Sequence, residues 1–461
     1  MSADRSNRVK PHNWTVIPVL ITFAALSPEY LAPGFTIFGA IMTMWKPGMH
    51  KKKFSSFSIG YAFIVFICWL IIGAFYADTI ISPLATILLW SMNFSNLWIS
   101  TVWIDTEEKL RRVVLGGTVS SGAVGLIAVL QYFARLIFGD KETTIFNPFW
   151  HFIDVLIEKL VAILPEGISS LLPKRTFSLF PTRSCSTFSN PLFLATFLVA
   201  MLSFCFFCFL NSKTKRQRTI GFVCLVFTLG GIATSFSRGP YIITVAVFVM
   251  LLIYGGKKAL KVLGVGTVSA LVVLICSKSV IARILTLTST DDSSINNRKK
   301  IWAAMFDKIP DKFIFGYGTG FDSVRRILHG EYNIKRPHAH NIFLEFQMEN
   351  GIIGVLLFVG VLAIFTYNVY KLYKKGGTAR MFGITFFVSI VAMCLCGVTD
   401  CIFYGLKPLQ YFMLIMGLTQ VAVNLFIKED ELFTVIKKRL HKQKKLPQNK
   451  TKQKLKEHSK V

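Results

Sequence analysis

The sequence predicts an all-α integral membrane protein of about twelve transmembrane helices, or eleven if the first two apolar runs form one broken span. Three features point there. Of the 461 residues 53% are hydrophobic and only 16% charged, whereas soluble domains carry about 25% charged residues. The apolar residues gather into runs of membrane length, and a helix of about 20 residues crosses the hydrocarbon core because only a helix satisfies its own backbone there. Short basic connections alternate with long polar ones, as Lys and Arg do across a bilayer.

In chain order the runs fall at 14–27, 31–46, 55–76, 79–104, 113–138, 190–210, 219–236, 240–255, 259–276, 342–371, 381–403 and 408–426. The first two are short and flank Pro33, so they read as a hairpin around that proline or as a single broken span. Alternate connections at 46–53, 105–112, 211–218, 255–261 and 371–380 are short and basic, which places all five on the cytoplasmic side. Both termini join them. Arg5, Arg8 and Lys10 precede the first span, the segment after Lys428 is Lys-rich, and this side collects 33 of the 52 Lys and Arg. The net charge of +28 is therefore mostly topology, and the tail reads as an anchor on anionic lipid rather than a nucleic-acid arm. No small-residue cleavage site follows the first run, so that run reads as a retained span rather than a signal peptide. Of nine cysteines only Cys185 falls clearly in an outer loop, which implies buried thiols rather than a disulfide framework.

The predicted organisation is then 1–138, N-terminal spans; 139–189, an outer loop; 190–276, central spans with a Ser-Arg-Gly motif; 277–341, a large extracytoplasmic loop; 342–426, C-terminal spans; and 427–461, the basic tail. In the first outer loop Phe149, Phe152, Ile153, Leu156, Leu160 and Ile163 repeat at helical spacing against Asp154, Glu158 and Lys159, an interfacial amphipathic helix. The second loop holds a helix from Ser294 to Ile309, with Asp291, Asp292 and Ser293 as caps and Pro310 as its stop. Its stripe is Ile301, Trp302, Met305, Phe306 and Ile309, with Arg298 one turn before Trp302 on the same face. A flexible Gly316-Tyr317-Gly318-Thr319-Gly320 turn follows.

Several groups on this outer side suit polar chemistry. His340-Asn341, nine residues and then Gly351-Ile352-Ile353-Gly354 set a titratable imidazole where the second loop meets a span. His340 fits a proton acceptor or a cap for that helix, and His338 is a weaker candidate two residues earlier. Arg238 lies in Ser237-Arg238-Gly239-Pro240, where Gly239 permits close backbone approach and Pro240 suits the first turn of a helix. An arginine beside a helix N-terminus makes an anion site. The alternative, an arginine snorkelling to headgroups, is disfavoured by its isolation in a short outer connection. Arg298 reads as an anion ligand or as one of three solvated charges in Arg298-Lys299-Lys300. Glu349 and Asp400, near the outer ends of their spans, suit orientation of an arginine or an acceptor, or a polar packing contact. No Asp-x-Asp pair occurs in the outer loops, and Asp291-Asp292 is better placed as a cap.

The segment Arg298 to Gly354, with its glycine turn and its His338-Ala339-His340-Asn341-Ile342-Phe343-Leu344 and Glu349-Asn350-Gly351-Ile352-Ile353-Gly354 stretches, resembles the O-antigen ligase and polymerase superfamily. So do Ser235-Phe236-Ser237-Arg238-Gly239 and the stretch from Arg183 to Pro191, although Leu192 stands where members often carry a second Asn. The resemblance implies a GT-C-like polytopic fold. It implies an inverting, metal-independent glycosyltransferase without a cofactor, in the cytoplasmic membrane of a bacterium with its active site on the extracytoplasmic face. The donor would be an undecaprenyl-diphosphate-linked glycan and the acceptor a glycan or glycolipid. Further partners would be membrane lipids and other polysaccharide assembly proteins, with no nucleic acid. By motif, His340 matches the proposed catalytic histidine, and Arg238 and Arg298 match arginines thought to bind the donor diphosphate. His338, Asn341, Glu349, Gly239 and Asp400 are the supporting candidates. Polymerisation of repeat units and ligation of finished glycan onto a terminal acceptor such as lipid A core both fit. Transport of lipid-linked sugars would need charges inside several spans and internal repeats, and the spans read as apolar without repeats.

Overall fold

Apolar runs punctuated by Pro, Gly and basic loops fold into helices, because lipid offers the backbone no other partner. The computed structural model describes residues 16–45, 57–138, 183–255, 264 and 293–428. Its helices are α1 (Val16–Phe23), α2 (Ala32–Met44), α3 (Ser58–Ala74), α4 (Ile81–Trp103), α5 (Glu107–Phe138), α6 (Pro191–Asn211) and α7 (Lys215–Thr234). There follow α8 (Arg238–Gly255), α9 (Ser293–Lys308), α10 (Asp322–Arg326), α11 (Ile342–Lys375), α12 (Gly377–Thr399) and α13 (Leu406–Val423). No strand occurs among the described residues. Among the described residues six helical stretches are long and apolar enough to cross a bilayer: Glu107–Ile137, Pro191–Asn211, Lys215–Thr234, Ile342–Lys375, Gly377–Thr399 and Leu406–Ile427. Val16–Leu26, Ser58–Ala74 and Arg238–Ile253 are apolar but shorter. The protein is a multi-pass membrane protein. The expected span 259–276, the amphipathic stretch 149–164 and the tail beyond Lys428 lie outside the described residues.

The first two runs form a hairpin. A Cβ on Gly39 would meet Ile17 and Ile21 at 3.4 Å, so α2 lies back along α1. The chain reverses between Ser27 and Leu31, at Pro28, whereas Pro33 sits in the first turn of α2. That corrects the placement of Pro33 at the bend: a proline is accommodated where its missing N–H has no helical partner to lose.

Apolar burial drives little association between helices in lipid, so close approach and internal hydrogen bonds must do the joining. A Cβ on Gly231 of α7 would lie 2.8 Å from the Gly125 Cα of α5, a contact only small residues allow. Ser203 and Ser389 share a hydrogen bond of 2.6 Å between α6 and α12. Trp90 is buried among Phe63, Phe66, Phe346, Phe358 and Phe403, whose rings meet it edge-on or tilted. Outward faces stay apolar, with Ile242, Val245, Val249 and Ile253 exposed along one side of α8.

The two classes of connection occupy opposite ends of the bundle. At one, Arg111 reaches the Asn211 carbonyl at the foot of α6 and lies over Phe207 and Phe382. At the other, the α1–α2 turn, the start of α6 and the α12–α13 connection are tied by Lys407, whose Nζ donates to the Ala25, Ser27 and Thr187 carbonyls. Ionisable residues are nevertheless buried near the ends of spans: Glu345, Glu349 and Lys407 are all 0–1% exposed. Each lies within about two turns of its helix start, where loop backbone supplies the partners that lipid cannot.

Candidate functional site

The loop carrying His338 and His340 is fixed through the alanine between them. Ala339 is fully buried; its N–H donates to Glu345 Oε2 at 2.6 Å and its carbonyl accepts from Trp302 Nε1 at 3.0 Å. Both backbone groups are thus spoken for, one by α11 and one by α9. His340 takes the left-handed conformation, φ 51°, which a non-glycine residue holds only under constraint from its surroundings. Helix α11 then starts at Asn341, whose Oδ1 accepts from the Phe343 and Leu344 N–H groups. Asn341 is therefore the cap of α11, and His340 is left free of that duty.

Instead His340 Nδ1 lies 3.2 Å from Asp400 Oδ1, with His338 Nδ1 at 3.8 Å from the same oxygen. The two imidazoles meet edge to face, centroids 4.1 Å apart. Asp400 follows the last residue of α12 and also accepts from the Cys401 N–H at 2.8 Å. Burial pushes the Asp400 carboxyl up, but the His340 hydrogen bond, the two imidazoles and the Cys401 N–H outweigh it, so Asp400 sits below the usual carboxylate range. In the tautomer that carries its proton on Nδ1, His340 donates to an ionised Asp400 and leaves Nε2 as a proton acceptor. Burial drives His338 the other way, down to about 4, so it is neutral near pH 7. His338, His340 and Asp400 each offer one atom within 4.8 Å of the other two, a set that could hold a metal ion. Of those atoms His340 Nδ1 is engaged with Asp400 Oδ1, and His338 Nδ1 accepts the His340 backbone N–H at 3.2 Å.

One residue back, Thr399 gathers the arginine motifs. Its carbonyl, at the C-terminus of α12, has no helical partner, and Arg298 Nε donates to it at 3.2 Å. A Cβ on Gly239 would lie 3.2 Å from Thr399 Oγ1, so the Ser237-Arg238-Gly239 turn docks on the same residue. Arg298 is half-buried while Lys299 and Lys300 are exposed, which separates it from the solvated run. On α9 the buried residues are Ile301, Ala304 and Met305, while Phe306 is 60% exposed and leaves the expected stripe. The turn itself is braced by Arg183, which donates to the Ser235 carbonyl at 2.9 Å and to Ser237 Oγ at 2.7 Å.

Glu349 belongs elsewhere. Helix α11 breaks at Gly351 (φ 63°, ψ −172°), and the glycine turn closes the break: Tyr317 N–H donates to the Met348 carbonyl at 2.7 Å and Gly318 N–H to the Glu349 carbonyl at 3.0 Å. Trp69 Nε1 takes the Asn350 carbonyl at 3.0 Å. The Glu349 carboxylate accepts from Gly320 N–H and Tyr404 OH and touches neither arginine nor histidine, so it anchors the turn rather than orienting a ligand. Sequence reading also missed Glu345, although two acids four apart at the head of an apolar helix were visible. Thr399 left no signal, because it acts through its carbonyl.

His340, His338, Asp400, Arg298 and the Gly239 turn thus converge where α8, α9, α11 and α12 meet; Asn341 and Glu349 support the frame. No curated protein matches the chain. Residues 223–359, which run from α7 into α11 and include Arg238, Arg298 and His340, match the family model for O-antigen ligase, so this stretch of the chain is similar to that family.

Proposed function

We propose that the protein is a metal-independent, inverting glycosyltransferase that moves a glycan from undecaprenyl diphosphate to an acceptor glycan outside the cytoplasmic membrane, polymerising repeat units of a surface polysaccharide. One observation carries the reading: Arg298 and the Arg238 turn meet at Thr399, one residue from the Asp400 that holds His340. A diphosphate leaving group gathers negative charge as its bond to the anomeric carbon breaks, and two guanidiniums in a partly dehydrated site stabilise it. His340 Nε2 takes the acceptor hydroxyl proton while the new C–O bond forms and the electron pair departs with the diphosphate. A GT-C-like arrangement of about twelve spans with cytoplasmic termini would put this chemistry on the extracytoplasmic face.

The description of the matching family favours the second reading, a ligase that moves finished glycan to a terminal acceptor. The two share their chemistry and differ in acceptor. The glycan profile of a deletion strain separates them: single repeat units left on lipid support the polymerase, and long polymer stranded on undecaprenyl diphosphate supports the ligase. An unchanged profile would overturn both.

A further inference from the structure

Beside His338, though not lined by His340, opens a cavity of about 430 Å³. Its wall includes His338, Glu29, Thr86, Phe193, Phe321 and Tyr404, contributed by the α1–α2 turn, α4, α6, the glycine turn and the α12–α13 connection. Neither Arg238 nor Arg298 lines it, and its described lining contains no Lys or Arg at all. Lys407 lies behind the wall and is saturated by three carbonyls and Thr187 Oγ1. The cavity thus offers a diphosphate no cation, only a carboxylate that Lys407 already faces from behind the wall. The same carboxylate disfavours a purely hydrocarbon tenant, since a polyprenyl chain would strip its hydration without replacing it. What remains is a neutral, hydroxyl-bearing ligand: hydroxyls for Glu29, Thr86, Tyr404 and His338, and the apolar faces of sugar rings for Phe193 and Phe321. The volume lies in the range of small-ligand sites.

The geometry points to this cavity as the acceptor subsite, holding the non-reducing end of a neutral acceptor sugar so that one hydroxyl reaches past His338 towards His340, whose ring packs on it. The inference rests on the glycosyl-transfer reading and extends it, since it separates acceptor from donor. His338 is the residue shared by both regions: it lines the cavity and lies 3.8 Å from the Asp400 oxygen that holds His340. Neutral near pH 7, it can orient a hydroxyl towards His340 without competing for its proton.

The test uses full-length protein in lipid nanodiscs, with the lipid-linked glycan extracted from the deletion strain and the lipid-free oligosaccharide released from that extract by mild acid. Wild type should bind both. Ala85→Trp, which fills the cavity from α4, should weaken oligosaccharide binding at least tenfold and leave binding of the lipid-linked glycan within twofold. Glu29→Gln, which keeps an oxygen for the Ser189 N–H, should raise the oligosaccharide Kd by severalfold and serves if the tryptophan variant misfolds. Oligosaccharide binding that is undetectable in wild type, or equal in wild type and both variants, overturns the assignment. So does protection of the cavity by polyprenyl phosphate alone. Failure of the wider reading looks different: wild type would then form no product from the extract, with or without added terminal acceptor glycolipid, whatever the cavity binds.

Discussion

Two carboxylates at the same end of the bundle, Asp400 and Glu349, were equivalent on the page of the sequence and have opposite fates in the fold. Asp400 faces two titratable imidazoles that remain partly open to solvent. Glu349, 1% exposed, is closed off by a phenol and a backbone N–H. The first pair can move a proton and the second can only hold a shape. What separates them is the partner: a carboxylate beside a histidine tunes chemistry, whereas one beside neutral donors satisfies a broken helix. Glu345 mediates between the two regions, since its Oε2 holds the histidine loop through Ala339 while its helix carries Glu349 one turn on.

The contrast breaks most plainly at its extremes. His340→Ala and Arg238→Ala should cut product about a thousandfold while leaving the amount of protein in the membrane unchanged; quantitative immunoblots beside glycan gels read both, and normal product from the two variants sinks the site. Next in size is Asp400→Asn against Glu349→Gln. Loss of the charge beside His340 should lower turnover on the order of a hundredfold, whereas the amide at 349 keeps an acceptor for Gly320 and should stay within about threefold of wild type. Equal losses would erase the distinction drawn between the two acids.

The frame can be tested without touching chemistry. In Gly351→Ala the new Cβ lies 2.1 Å from the Ile314 carbonyl oxygen at a φ of 63°, so the variant should lose at least about 1–3 kcal/mol and appear at reduced level. Gly360→Ala, with nothing within 4 Å, should be neutral or slightly stabilising; equal thermal stability of the two in nanodiscs would remove the helix break from the account. The smallest effect concerns His338. Its pKa in the fold, about 4, lies below the 6.5 of an unfolded histidine, so the unfolded chain binds more protons between those values. Its contribution is complete above about pH 6.5 and is lost as pH falls towards 4, by about 2 kcal/mol once its partial exposure is allowed for. His338→Gln should flatten that slope in pH-dependent melting, and an unchanged slope would remove His338 as its source.

Much of this was legible beforehand. Helix positions followed from run length, because lipid forbids other backbone solutions. His340, Arg238 and Arg298 stood out because charged or titratable groups at the ends of apolar runs are costly. Which of His340 and Asn341 caps α11 was not legible, because both are polar residues before an apolar run. Pro33 was misplaced because Pro28, five residues earlier, satisfies the same turn rule. The role of Thr399 could not be seen at all, since every residue has the carbonyl it uses.

By itself the sequence determined the class of the protein, the apolar helices and the charged groups that could not be idle, since all three follow from local composition and the solvent in which the chain must live. Only tertiary structure decided which acid meets the histidines, which seals the glycine turn, and that both arginine motifs reach the end of α12. Those are contacts between residues up to 160 positions apart, Gly239 to Thr399 being the longest step among them, and no local pattern encodes a distance across a bundle.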